Sequence, residues 1–153
     1  MNAIRWVAGL LASLASVSCL SRTCDMSLRY NPTTVHENDI TLSRPATIIA
    51  VQFCLDAKCR VAPLDTSTPG KKSCFPMNGG SSGGFCVTSM TADTLHIGGT
   101  LSTDEFIDPP SSVHLTITDS GSGAPLFDKK SPVSVHDYDD EGCHTTWNAE
   151  ASL

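Results

Sequence analysis

The sequence predicts an all-β chain, an antiparallel β-sandwich of about seven or eight short strands that is disulfide-stabilised and preceded by a signal peptide. Three observations predict it. Short apolar–polar alternations recur with turn signals roughly every ten residues. No segment after the N-terminal leader sustains the 3.6-residue period of an amphipathic helix. Seven cysteines occur in 153 residues, and six of them follow Cys19. Hydrophobic residues make up 40% and charged residues 17%, which is the balance of a folded chain with one core.

The leader comes first. Residues 1–18 carry one positive charge at Arg5, an apolar run from Trp6 to Ala15, and the small residues Ser16 and Ser18 before a cleavage point. This is the three-part plan of a secretory signal peptide, and its apolar run is too short to span a bilayer as a stable helix. Removing it takes Arg5 away and moves the formal charge from −6 to −7. The mature chain, 19–153, is then a single β-sandwich domain. Ser16-Val17-Ser18-Cys19 resembles the lipobox of bacterial lipoproteins, with Ser16 where that motif has Leu. That resemblance implies lipidation at Cys19, the one route to a membrane; simple secretion discards Cys19 or leaves it at the cut.

Along the mature chain, Met26, Leu28 and Tyr30 alternate on one face of a first strand, which Asn31-Pro32 ends; Val35 to Asn38 reads as polar connection. Ile40-Thr41-Leu42 is a short second strand, and Pro45 marks a break or an edge. Thr47 to Leu64 is the organising hairpin. Ile49, Val51, Phe53 and Leu55 form a wholly apolar face, and Leu55 to Lys58 reads as a four-residue turn that sets Cys54 opposite Cys59. Residues 65–84 are polar and rich in Gly, Ser and Pro, and read as loop. Short strands follow at Phe85 to Ser89 and at Thr94 to Ile97, the latter ended by Gly98-Gly99; Leu101 to Pro110 reads as acidic loop. Val113, Leu115 and Ile117 alternate with His114, Thr116 and Thr118 in a strand that turns at 119–123 and returns from Pro125. Val133 to Val135 and Thr146 to Ala149 supply the last strands. The rhythm is similar in general architecture to immunoglobulin-like, fibronectin-type and prealbumin-like sandwiches, although Trp147 lies after every cysteine, unlike the spacing of a true immunoglobulin domain.

With Cys19 lipidated or removed, Cys24, Cys54, Cys59, Cys74, Cys86 and Cys143 remain, an even set that reads as three disulfides in an oxidising compartment. Sequence alone does not choose the connectivity; the preferred pairing is local, Cys54–Cys59 and Cys74–Cys86, and by elimination Cys24–Cys143. In the chain-entropy treatment these loops contribute about 2, 3 and 5 kcal/mol.

The acidic balance excludes nucleic acid as a partner, since phosphate neutralisation needs clustered Lys and Arg. Gly80-Ser81-Ser82-Gly83-Gly84 matches the G-x-S-x-G pattern, but that chemistry needs a strand before it and a helix after it, and here a β-type segment follows. Asp137, Asp139 and Glu141 before Gly142 approximate the opening of a calcium loop, the one cofactor the sequence suggests; Asn148 stands where an EF-hand has its bidentate Glu. The five histidines are scattered, and His96 and His114 point outward from strands. The expected function is a non-enzymatic binding or structural module at the cell surface or in the extracytoplasmic space, its partner a protein or surface ligand. The alternative is a small secreted hydrolase or enzyme inhibitor using the Ser81 to Gly84 loop or the acidic cluster.

Overall fold

A computed structural model describes residues 31–76, 84–103, 108–140 and 145–153. Every regular element among them is a strand: β1 (Asn31–Thr41), β2 (Ile48–Leu55), β3 (Lys58–Asp65), β4 (Lys72–Phe75), β5 (Gly84–Ser89), β6 (Thr94–Thr103), β7 (Ser112–Asp119), β8 (Pro125–Pro132), β9 (Ser134–Asp140) and β10 (Thr145–Ala151). They form a six-stranded sheet, ordered β4-β5-β6-β1-β10-β9, and a four-stranded sheet, ordered β3-β2-β7-β8. All pairings are antiparallel except β1 with β10, which run parallel from Thr33↔Ala149 to Val35↔Ala151.

The alternating faces do the packing. Ile49, Val51, Phe53 and Leu55 of β2 and Val113, Leu115 and Ile117 of β7 are all buried, and so are Phe85, Val87, Leu95, Ile97 and Val35 of the larger sheet. Both sets belong to one hydrophobic cluster. Its centre is aromatic: Phe53 of the small sheet stacks on Phe85 of the large one at 4.1 Å between centroids and 13°, with Phe75 tilted against both. Each such side chain contributes about 1.5–3 kcal/mol through burial.

Ten strands stand among the described residues where the sequence rhythm suggests seven or eight, and the differences have local causes. Asn31-Pro32 does not end a strand but opens β1. Pro32 has no N–H to give, and it precedes the residues registered with β10, which begin at Thr33. Val35 to Asn38 is not a connection; a bulge against β6 between Val35 and Asn38 absorbs the polar residues within the strand. Gly98-Gly99 does not end β6 but lies inside it. Both glycines have positive φ, 154° and 143°, and a Cβ on Gly98 would meet Glu37 Cγ at 2.8 Å while one on Gly99 would meet the Gly84 carbonyl oxygen. The glycines serve close backbone approach, not a turn.

The turn of the β2–β3 hairpin is two residues long rather than four, because Leu55 and Lys58 are themselves a registered pair. Asp56 takes a φ of 50° there, as the first central residue of the mirror-image hairpin turns requires. The polar segment 65–84 contains β4, of which only Phe75 is buried. Leu101 to Thr103 extend β6 and are not loop. His136 to Asp140 are likewise not loop but the second half of β9, paired with β10. The expected strand at 25–30 lies outside the described residues.

Candidate functional site

The two local cysteine pairs are disulfide-bonded. Cys54 and Cys59 are directly opposed across β2 and β3 with Cα atoms 4.0 Å apart, and Cys74 and Cys86 across β4 and β5 at 4.1 Å. Direct opposition is what the hairpin registers supply, and it is the geometry a cross-strand bridge needs. Cys19, Cys24 and Cys143 lie outside the described residues, as do Glu141 and residues 80–83 of the glycine-serine loop. The backbones of Asp137 and Asp139 lie on β9, opposite Thr146 in the case of Asp139.

A polar groove forms where β1, β10 and β9 run side by side. Parallel pairing sets Thr34 opposite Glu150, and antiparallel pairing sets Glu150 opposite Ser134 and Asn148 opposite His136. Val35, Trp147, Ala149 and Ala151 are buried. Strand alternation therefore turns His36, Asn148, Glu150, Ser134 and His136 to the outer face. His36 Nε2 lies 3.1 Å from Glu150 Oε2, with both side chains half exposed. Two adjoining depressions follow this face. One, of about 340 Å³, is lined by His36, Ser134, His136 and Glu150 among others; the second, of about 570 Å³, runs from Thr34 past Asn148 to His136.

The groove offers one carboxylate, two imidazoles, an amide and hydroxyls on an open surface. Imidazoles and amides both donate and accept, so the set can clasp a polar ligand by several hydrogen bonds at once. Glu150 Oε2 can only accept, so in that contact the His36 Nε2–H is the donor. Among the described residues no group of three or more His, Cys, Asp or Glu side chains is arranged to hold a metal ion.

Two further imidazole–carboxylate pairs cross strands elsewhere. His96 Nδ1 lies 2.7 Å from Asp39 Oδ1, and His114 Nε2 lies 2.7 Å from Asp128 Oδ1 with Thr116 Oγ1 at 3.2 Å. Both histidines stand on strands with partly exposed side chains, in keeping with their outward positions in the sequence pattern. Sequence reasoning does not reach the His36–Glu150 pair. Its members are 114 residues apart and meet only through the parallel β1–β10 contact, so no local motif marks them.

No protein-family model matches the chain, and neither a curated protein nor a solved structure matches it.

Proposed function

We propose that the chain is an exported β-sandwich acting as a non-enzymatic binding module outside the cytoplasm, with the groove of His36, His136, Asn148 and Glu150 as its working surface. The observation that carries the reading is the His36–Glu150 pair, set in an open polar depression on the β1–β10–β9 face. Such a surface suits a partner rich in hydrogen-bonding groups more than an apolar small molecule, which needs an enclosed pocket. Two cross-strand disulfides support an oxidising compartment. In this reading residues 1–18 direct export, and Cys19 is either lipidated or removed.

A screen of the mature protein against immobilised glycans and peptides tests the proposal. A ligand whose affinity falls about tenfold or more in Glu150→Ala, while Asp128→Ala binds normally, supports it; tenfold corresponds to about 1.4 kcal/mol. Unchanged binding in Glu150→Ala, and in the double variant His36→Ala/His136→Ala, overturns the assignment of the surface. N-terminal sequencing of the exported protein tests the leader, which should be absent from the mature chain.

One observation favours a second reading as a small secreted hydrolase. Ser134 lines the same depression as His36 and Glu150, the residue types of an acyl-transfer triad. Labelling by a fluorophosphonate probe, lost in Ser134→Ala, would decide for it; an unlabelled wild-type protein decides against it.

A further inference from the structure

The two described disulfides share a register geometry and differ in what their sulfurs meet. In each, one sulfur belongs to an exposed residue, Cys59 or Cys74, and the other to a more enclosed one, Cys54 or Cys86. Cys54 is 4% exposed. Gln52 Nε2 donates a hydrogen bond to Cys54 Sγ at 3.6 Å. Among the described residues Cys86 Sγ has no such donor; it lies 3.9 Å from the carbonyl oxygen of Gly84. The strand registers extend the contrast. Cys59, Cys54, His114 and Lys130 form one row across all four strands of the small sheet, whereas Cys74 and Cys86 continue to Gly98, which has no side chain.

In thiol–disulfide exchange the sulfur that leaves as thiolate sets much of the rate, and an environment that stabilises its negative charge makes it leave faster. An N–H directed at sulfur does this; a carbonyl oxygen does the reverse. The sulfur on the exposed residue is the one open to an incoming thiolate. We propose that Cys54–Cys59 is a site of exchange with low-molecular-weight thiols, in which Cys59 is attacked and Cys54 is the leaving group.

The step balances within itself. The thiolate of the small thiol attacks Cys59 Sγ and forms a new sulfur–sulfur bond. The Cys54–Cys59 bond breaks, and its electron pair goes to Cys54 Sγ, which becomes the thiolate hydrogen-bonded by Gln52. One thiolate and one disulfide are consumed, and one of each is produced. The hairpin remains closed after the bond opens. Its register runs from Ile48↔Asp65 to Leu55↔Lys58, and the Asp56 carboxylate ties its tip to Ser111 and Ser112. Cys59 thereby becomes a surface position that carries a small thiol covalently without loss of the fold.

The test reacts the oxidised full chain with reduced glutathione, quenches it with acid, alkylates free thiols with N-ethylmaleimide and maps the peptides. The expected product carries glutathione on Cys59 and maleimide on Cys54, and forms about tenfold faster than any opening of Cys74–Cys86. In Gln52→Ala the opening of Cys54–Cys59 slows by about threefold while the Cys74–Cys86 rate stays the same. Glutathione found on Cys54, equal or faster opening of Cys74–Cys86, or an unchanged rate in Gln52→Ala overturns the proposal.

Discussion

Asp56, at the tip of the β2–β3 hairpin, binds Ser111 with both carboxylate oxygens: Oδ1 and Oδ2 accept the backbone N–H at 3.1 and 3.0 Å, and Oδ1 accepts the hydroxyl at 2.6 Å. Ser112 adds its N–H at 2.9 Å and its hydroxyl at 3.2 Å, and its carbonyl accepts the Asp56 N–H at 3.0 Å. One turn residue thus anchors the start of β7, more than fifty residues later in the chain.

That anchoring predicts a pH-dependent contribution. Partial burial works to raise the Asp56 pKa, but the hydrogen bonds from Ser111 and Ser112 outweigh it and hold the carboxyl below the usual range. A depressed folded-state pKa stabilises the fold in full above the unfolded value near pH 4, and that stabilisation disappears as pH falls through the folded value. Asp56→Ala should cost about 1–2 kcal/mol at pH 7, kept modest by the exposure of the turn. Urea denaturation of wild type and variant at pH 7 and at about pH 2.5 checks it; the gap between them should narrow at the lower pH.

Phe85→Ala should be the most damaging single truncation in the core. Phe85 is fully buried and stacks on Phe53 from the opposite sheet, so its removal takes contacts from both sheets at once. A loss of about 3–5 kcal/mol is expected, read as a fall in the denaturation midpoint without a change in slope. A loss under about 1 kcal/mol would mean that the two sheets do not meet at this stack.

Gly99→Ala should destabilise more than Gly70→Ala, although both glycines have positive φ. At Gly70 an added Cβ meets nothing within 4 Å, so only the backbone conformation is penalised, by about 1 kcal/mol. At Gly99 the same atom runs into the backbone of Gly84 and Phe85 on the neighbouring strand. Backbone cannot swing aside as a flexible side chain does, so β5 and β6 must part there. Paired melting curves of the two variants check the order.

The contrast between Gly99 and Ile49 explains what was legible in the sequence. The faces of β2 and β7 depend on residues two apart in the chain, so alternation at Ile49, Val51 and Phe53 reveals them directly. The two hairpin disulfides were legible for the same reason, with partners only 5 and 12 residues apart. Gly98 and Gly99 read locally as a stop; their role depends on Glu37 and Gly84, which only the tertiary fold brings near. β1 through Pro32 depends likewise on β6, which pairs with it from Asn31, while the parallel contact with β10 starts only at Thr33. The candidate groove was the least legible, because its residues sit on three strands and the parallel pairing that joins two of them leaves no mark on either.

Thr33 and Thr66 make opposite predictions from the same substitution. Both are buried. The Thr33 hydroxyl has no hydrogen-bond partner among the described residues, while the Thr66 hydroxyl donates to the carbonyl oxygens of Ala46 and Thr47. A buried hydroxyl without a partner has lost its water and gained nothing, so replacing it with a methyl of similar size removes a penalty. Thr33→Val should therefore stabilise the protein by about 1 kcal/mol. Thr66→Val takes the hydroxyl donor from the Ala46 carbonyl, while the Thr47 carbonyl keeps the Thr66 backbone N–H, and should destabilise it by about 1–2 kcal/mol. Denaturation of the two variants side by side checks the pair, and a destabilised Thr33→Val would show that its hydroxyl is bonded after all.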